Sequence, residues 1–470
     1  MFDIRIGDQR IKGPYILLAI ADALALFVSV YVGAYARFYT EVDPLAAAYQ
    51  SVGDLLPRAL IHSVVVVTTL ISMGLYQAQR REHLVNKLSR LTAGFIIAFV
   101  IFGFIFYVFP NIYMGRGVFL IASGLSFLLL IIFHYIFSHT VNLEVLKRNV
   151  LILGSGKHAS WITKLRRKSD RSGVNIVGYI SVENEENVIQ QELLLESGPS
   201  LIEHIKKYEI DEIVVALTDR RDVLPLNDLM EARLQGVKIV ELVTFLERQQ
   251  GKVYTNLLNP AWIIFSEGFR QNGFRFFTKR IFDIFASSIL LVTSSPLYII
   301  AAILIWIEGK GNDPIFYTQE RVGQNNNKFN LLKFRTMRSD AEQEGKAIWA
   351  SEDDPRITRI GKILRKYRID ELPQIYNVFR GDMSLVGPRP ERPEFVKQLT
   401  SEIPFYGERH RVKPGLAGWA QMKYPYGGSV NDAIEKLNFD LYYVKHHSLI
   451  FDIVILLQTA EVVLWGKGAR

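Results

Sequence analysis

The chain has no cysteine in 470 residues, so disulfides, thiolate catalysis and cysteine-held zinc or iron–sulfur centres are excluded. It also lacks the pattern of a cleavable leader. MFDIRIGDQRIKGP runs into a segment of membrane-spanning length, without a short apolar stretch and small-residue cleavage site. Acidic residues are too few to balance the basic ones, 47 against 55, leaving a net charge of +8. That excess suits an anionic partner, either phosphate groups or an anionic lipid surface. What the chain has in quantity is apolar residues, 49% against 22% charged, crowded into roughly the first 140 positions. A membrane-embedded protein with large soluble parts is expected, in roughly three domains.

Four segments are long and apolar enough to span a bilayer: Tyr15–Tyr35, Leu56–Tyr76, Leu91–Phe109 and Val118–Phe137. Asp22, His62 and His134 interrupt them and are expected to face other helices or the interface. Arg5, Arg10 and Lys12 precede the first span, Arg80, Arg81, Lys87 and Arg90 separate the second from the third, and Lys147 and Arg148 follow the fourth. The other two loops are poor in basic residues. The charge rule therefore predicts a four-helix transmembrane bundle over residues 1–145, with both ends in the cytoplasm.

Residues 146–248 read as a Rossmann-like α/β domain. Apolar strands at Asn149–Gly154, Asn175–Ile180, Ile210–Leu217 and Gly236–Leu242 alternate with helical stretches, which implies a parallel sheet. GSGKHA (Gly154–Ala159) has the spacing of a turn that cradles a pyrophosphate. The acid expected at the end of the next strand is absent, Glu183 being the nearest, so a structural or regulatory sheet is the preferred reading. Residues 249–274 read as an irregular linker.

Residues 275–470 carry the chemistry. Asp370-Glu371 sits among Arg365, Lys366, Arg368, Arg380, Arg389 and Arg392, with Pro373 and Gly381 bounding a short helix. The pair thus lies at or just before a helix N-terminus, where anions are stabilised. Neighbouring carboxylates point about 100° apart on a helix, which suits one that attacks and one that holds a metal or moves a proton. An acidic first turn that merely pairs with Arg is the bland alternative. KFRTM (Lys333–Met337) offers Lys333 and Arg335 at the end of an apolar strand, MSLVGPRPE holds Arg389 between two prolines, and RHRVKPGLAGWAQ adds Lys413 and other cations. These are candidate phosphate ligands. KLNFDLYYVKHHSLIFDI sets Asp440 among aromatics. Arg clusters around an acidic dyad beside a membrane favour phosphate chemistry on a lipid over nucleic-acid binding.

Ahead of these clusters lies an apolar segment, Ile281–Ile307, interrupted by Ser295-Pro296. Taken locally, a kinked full span is the default, since an interior proline removes one hydrogen bond. The downstream residues favour a re-entrant helix that bends at Ser295-Pro296 and keeps the rest of the chain cytoplasmic.

KFRTM, DELPQ, GDMSLVGPRP, RHRVKPGLAGWAQ and FDLYYVKHHSLIFDI, in this order, resemble the bacterial sugar transferase domain of the monotopic phosphoglycosyl transferases. The upstream architecture is similar to the long form of that family, the polyprenyl-phosphate hexose-1-phosphate transferases. Leu416-Ala417 stands where Ile-Thr is usual, a mild departure. The resemblance implies transfer of a sugar 1-phosphate from a UDP-sugar to undecaprenyl phosphate, with release of UMP, at the start of exopolysaccharide, capsule or O-antigen synthesis. It implies Asp370 as nucleophile through a phosphosugar–aspartate intermediate, Glu371 as ligand of Mg²⁺, Asp440 as a third essential acid, and Arg365 and Arg389 as phosphate ligands. It further implies a C-terminal α/β catalytic domain facing the cytoplasm from a bacterial inner membrane. Expected partners are a UDP-sugar, undecaprenyl phosphate and membrane lipids, with no nucleic acid and a homodimer left open. Two other classes stay open: a noncatalytic assembly or regulatory protein of polysaccharide export, and a nicotinamide-dependent membrane oxidoreductase using the GSGKHA turn.

Overall fold

Long apolar runs and short alternating ones separate the chain into differently built parts. The computed structural model describes residues 4–6, 9–11, 13–76, 84–140, 147–165, 173–182, 185–196, 200–218, 224–258, 273–338, 356–424, 427 and 429–465. Lys12, Arg80, Arg81 and Glu183 lie outside the described residues. The chain forms two units, residues 1–250 and 251–470.

In the first unit an antiparallel hairpin, β1 (Ile4–Ile6) and β2 (Gln9–Ile11), precedes α1 (Gly13–Arg37). Then come α2 (Pro44–Val52), α3 (Leu55–Ser72), α4 (Leu84–Val108) and α5 (Arg116–Thr140). The long helices α1, α3, α4 and α5 each contain a stretch long and apolar enough to cross a membrane. They lie within a few residues of the expected spans, except that α4 starts seven residues early. α1 packs on α3 and α5, and α4 on both as well. Leu17, Leu24, Val64 and Leu120 stay exposed, as a lipid-facing surface requires. The polar interruptions turn inward. Asp22 accepts a 2.8 Å hydrogen bond from the Tyr76 hydroxyl and lies 2.9 Å from His134 Nε2, while His62 stacks on Phe102.

The soluble part of this unit contains β3 (Arg148–Leu153), α6 (Ser160–Thr163), β4 (Val174–Ile180), α7 (Leu201–Tyr208), β5 (Glu212–Val215), α8 (Leu226–Leu234), β6 (Lys238–Glu241) and α9 (Leu242–Gln250). All strand pairs are parallel, in the order β4-β3-β5-β6. Val150–Leu153 are buried without alternation, the pattern of a strand covered on both faces. Leu151, Leu153, Ile205, Ile213, Val215 and Leu229 form the core. Arg248 of α9 closes the sheet with two hydrogen bonds, 2.5 and 2.8 Å, to the buried Glu212 carboxylate.

The second unit begins inside the interval read as linker, and that reading is corrected for residues 251–258. Val253 N–H donates to the Asn438 carbonyl at 2.9 Å, Thr255 donates twice to Asn438 Oδ1 at 3.0 Å, and the Trp419 indole donates to Gly251 O at 2.8 Å. The segment has no periodicity because single contacts, not a repeated face, hold it. Residues 259–272 of the interval lie outside the described residues.

Helix α10 (Gly273–Glu308) runs through Pro296. The proline cannot donate to Val292 O, and the Ser295 hydroxyl does so instead at 2.8 Å. Near the start of α10, Arg280 donates to the Val378 and Phe379 carbonyls and Asp283 accepts from Ser384 Oγ and Leu385 N–H. Near its end, Tyr298, Ala301 and Ile305 pack with Phe334, Leu364 and Leu372. Both ends of one long apolar helix therefore hold the same folded unit. That unit continues with the antiparallel pair β7 (Phe316–Val322) and β8 (Lys328–Phe334), α11 (Arg359–Lys366), α12 (Gln374–Arg380), β9 (Ser384–Val386), α13 (Pro393–Glu402), β10 (Gly415–Ala417, parallel to β9), α14 (Trp419–Lys423), α15 (Val430–His446) and α16 (Leu449–Trp465). Its core gathers Val378, Met383, Leu385, Trp419, Tyr442 and Phe451.

Candidate active site

The acidic pair lies on a tight turn. Arg368 is left-handed (φ 57°), the chain makes one 3₁₀ turn over Ile369–Glu371, and Pro373 caps α12. Successive side chains of a 3₁₀ turn diverge by about 120°, so the two carboxylates meet different surroundings. Asp370 is buried, and its Oδ1 has no hydrogen-bond partner. Glu371 Oε1 lies 2.8 Å from Arg389 Nη2, 3.5 Å from Arg368 Nη1 and 3.8 Å from Lys333 Nζ.

The electrostatics separate the pair further. Burial raises the Asp370 pKa, and the neighbouring Glu371 charge adds to it against Lys333, Arg365 and Arg368. Burial would also raise Glu371, but Arg389, Lys333 and Arg368 outweigh it and hold the group near 2. Lys333 is lowered to about 8, first by burial and then by Arg389, against the pull of Glu371. One carboxylate is locked as an anion by side-chain cations; the other keeps a free oxygen.

The loop after β9 presents Arg389. Gly387 and Gly415 allow this loop to lie against the one after Val412, since a Cβ on Gly415 would sit 2.0 Å from the Gly387 nitrogen. Gly415 N–H donates to Pro388 O and Gly387 N–H to Ala417 O, each at 2.9 Å. Arg409, from the 3₁₀ segment Tyr406–Arg411, supports the loop by donating to the Arg389 carbonyl at 2.9 Å. Arg321 of β7 does the same for Pro390 O at 3.2 Å. Arg409 also lies 2.7 Å from Asp440 Oδ2, and both side chains are buried. Burial raises Asp440 to about 6 despite Arg409.

Of the residues expected from sequence, the fold gathers Asp370, Glu371, Lys333 and Arg389. Arg365 joins them from the last turn of α11, where its Nε donates to Thr336 Oγ1 at 2.9 Å and its charge acts on Asp370. Three others stand apart. Arg335, just past the end of β8, is buried in an ion pair with Asp313 at 2.5 Å. Lys413 lines a separate, open pocket with Arg275, Lys279, Arg280 and Asp283. Asp440 stands behind the Arg389 loop, paired with Arg409. Sequence reasoning singled out neither Arg409 nor Arg321. A three-residue period would have helped with the first, because Tyr406 and Arg409 share one face of the 3₁₀ segment and are hydrogen-bonded at 2.7 Å.

Among the described residues, no three His, Cys, Asp or Glu side chains converge to hold a metal. The donor set nevertheless fits Mg²⁺, which takes one or two carboxylates and fills its shell with substrate phosphates and water. Glu371 is ionised, and the unpartnered Asp370 Oδ1 is next to it in sequence.

In the first unit the GSGKHA turn follows β3, with Gly154 at φ 117°. Glu185, five residues past the end of β4, lays its carboxylate on this turn, 2.9 Å from Ser155 N.

The bacterial sugar transferase family profile matches residues 274–466, and a CoA-binding domain profile matches residues 72–229. A UDP-N-acetylgalactosamine-undecaprenyl-phosphate N-acetylgalactosaminephosphotransferase of Aeromonas hydrophila is 47% identical over 194 residues, 41% of this chain and 45% of that protein, so the match spans less than half of its length. A UDP-glucose:undecaprenyl-phosphate glucose-1-phosphate transferase of Klebsiella pneumoniae is 31% identical over 330 residues, 69% of each chain. An uncharacterised sugar transferase of Haemophilus influenzae is 28% identical over 449 residues, 90% of this chain and 92% of its own.

Proposed function

The chain belongs to the bacterial sugar transferase family, in the long form with apolar helices and an α/β unit ahead of the transferase part, and from that premise we propose that it moves a sugar 1-phosphate from a UDP-sugar to undecaprenyl phosphate. The observation that carries this reading is the split dyad: Asp370 with a free, buried oxygen beside Glu371, which is held as an anion by Arg389, Arg368 and Lys333.

In the first step, Asp370 Oδ1 attacks the sugar-bearing phosphorus of the donor. A P–O bond to aspartate forms, the P–O bond to the uridylyl phosphate breaks, and UMP leaves with the electron pair. In the second step, a phosphate oxygen of the acceptor lipid attacks the same phosphorus and frees the Asp370 carboxylate. Atoms balance without a further reactant. Raising the Asp370 pKa makes it a better nucleophile at the cost of a smaller ionised fraction. Arg389, Arg365 and Lys333 neutralise the phosphate charge that would otherwise repel the attacking carboxylate. Mg²⁺ held by Glu371 and the diphosphate would add charge neutralisation there when bound. Asp440 acts through Arg409, which fixes the carbonyl of the residue that grips the phosphate.

The length and packing of α10 bear on the topology. A helix of 36 residues is about 54 Å long, against a hydrocarbon core of about 30 Å. If it crossed the bilayer, its ends would lie on opposite faces. Both ends pack on one folded unit, which supports a re-entrant path bent at Ser295-Pro296 and a dyad at the headgroup level on the cytoplasmic face of the inner membrane. The Glu185 carboxylate on the GSGKHA turn weighs against the oxidoreductase reading. The test is UMP release from UDP-N-acetylgalactosamine and UDP-glucose in membranes containing the protein or its Asp370→Asn variant. Release that needs undecaprenyl phosphate for turnover and disappears in the variant supports the proposal; equal release from both proteins defeats it.

A further inference from the structure

The parallel sheet of the first unit changes direction between β3 and β5. From β3 the chain steps to β4 on one side and then crosses to β5 on the other. In such sheets the crevice outside the carboxyl ends of the two strands at the switch point is where nucleotides bind. Leu153 and Val215, the last residues of these strands, are paired in register. The residues that follow them, Gly154-Ser155-Gly156 and Ala216-Leu217-Thr218, form the two lips of the crevice.

That crevice is already filled, and by an anion. The Glu185 carboxylate accepts from Ser155 N–H at 2.9 Å on one lip, and from Thr218 N–H and Thr218 Oγ1 at 3.2 Å each on the other. It uses backbone and hydroxyl donors, as a bound phosphate would. The fit is close: a Cβ on Gly156 would come within 2.5 Å of Glu185 Oε1, so the glycine makes room for the carboxylate. Lys157, next along the turn, is exposed and makes no ion pair among the described residues. A cation is thus at hand that the carboxylate leaves unused. The backbone beyond Glu185 is tied independently, since Val188 N–H donates to Ser155 O at 2.9 Å. Rotation of one side chain therefore suffices to empty the crevice.

We propose that Glu185 is a tethered occupant of a nucleotide-phosphate site, and that a phosphate-bearing nucleotide binds at Ser155 and Thr218 only by displacing it. The ligand class is a diphosphate or phosphate monoester with an attached nucleoside. The site is independent of the Asp370 chemistry.

The experiment is calorimetric titration of the full-length protein in nanodiscs with ADP, coenzyme A and inorganic phosphate, for the wild type, Glu185→Ala and Glu185→Gln. The wild type should bind ADP and coenzyme A weakly. Glu185→Ala should bind them tighter by about tenfold or more, the scale of one charge-assisted hydrogen bond released to the ligand. Glu185→Gln should fall between the two, because an amide keeps one acceptor but loses the charge. A gain seen equally with inorganic phosphate would assign the site to the phosphate alone; a gain with ADP or coenzyme A only would assign it to the nucleotide. Wild-type binding as tight as that of Glu185→Ala would overturn the proposal, and so would a folded Glu185→Ala that gains nothing. Collapse of the thermal transition in both variants would also overturn it, because an occupant the fold cannot lose is not displaceable.

Discussion

In the C-terminal unit a carboxylate pair is surrounded by side-chain cations; in the N-terminal unit a single carboxylate is surrounded by backbone N–H groups and a hydroxyl. Glu371 is met by Arg389, Arg368 and Lys333, and Asp370 next to it keeps an oxygen free. Glu185 spends its carboxylate on Ser155 and Thr218 and closes the turn that a nucleotide would need. Both places are built for negative charge. Only the first leaves a nucleophile unoccupied with cations around it, which is why the chemistry is assigned there.

The largest expected effect separates the two carboxylates. Asp370→Asn should lower turnover by about a thousandfold or more, because an amide cannot replace the attacking group, whereas Glu185→Ala should change UMP release by less than about threefold. If the two variants lost similar activity while folded, the assignment of chemistry to one unit would be wrong.

Removing the first unit altogether sharpens the same contrast. A truncation beginning at Gly251 keeps every residue of the dyad site and should retain transferase activity in nanodiscs. One beginning at Gly273 should be less stable by roughly 3–5 kcal/mol, since it gives up the buried Val253 and leaves the Asn438 side chain unpaired. Thermal melts of the two proteins check this. Equal melts would mean that residues 251–258 do not belong energetically to the second unit.

A smaller effect concerns pH. Lys333 is lowered to about 8, so it is charged below that pH and loses its charge above it. Above about pH 8, kcat/KM should fall by up to about tenfold per unit, as the dyad site loses a phosphate-facing cation. Asp440 at about 6 and the raised Asp370 act on the other side, where protonation removes the Arg409 partner and the nucleophile. Lys333→Arg should remove the alkaline limb and leave the acid limb in place. An unchanged alkaline limb would show that another group sets it.

The two regions were unequally legible in the sequence. The strands of the sheet in the first unit showed as short apolar runs, and their boundaries fell within two residues at every end because buried parallel strands need such runs. The dyad, Lys333 and Arg389 were legible because each sits in a motif with a fixed backbone reason: the 3₁₀ turn before Pro373, the end of β8, the loop with Gly387. Lys333 and Arg335 looked equivalent on paper, yet Lys333 reaches Glu371 and Arg335 reaches Asp313. Nothing local separates them, since the choice depends on where Asp313 lies. Arg409 and Arg411 were equally indistinct until the fold buried one and exposed the other. Glu185 escaped because the acid of a dinucleotide fold is sought at the end of the second strand, and this one reaches back from five residues beyond it. The segment 251–258 escaped because isolated hydrogen bonds leave no period to read.

On the proposed mechanism, Asp370 carries the phosphosugar between donor and lipid. The most direct measurement is the intact mass and peptide map of the purified protein after incubation with a UDP-sugar and Mg²⁺ in the absence of acceptor. One added sugar phosphate is expected on the peptide containing Asp370, formed with an equal amount of UMP and discharged when undecaprenyl phosphate is supplied. No adduct, together with kinetics that require donor and acceptor to be bound at once, would contradict it and point to direct transfer.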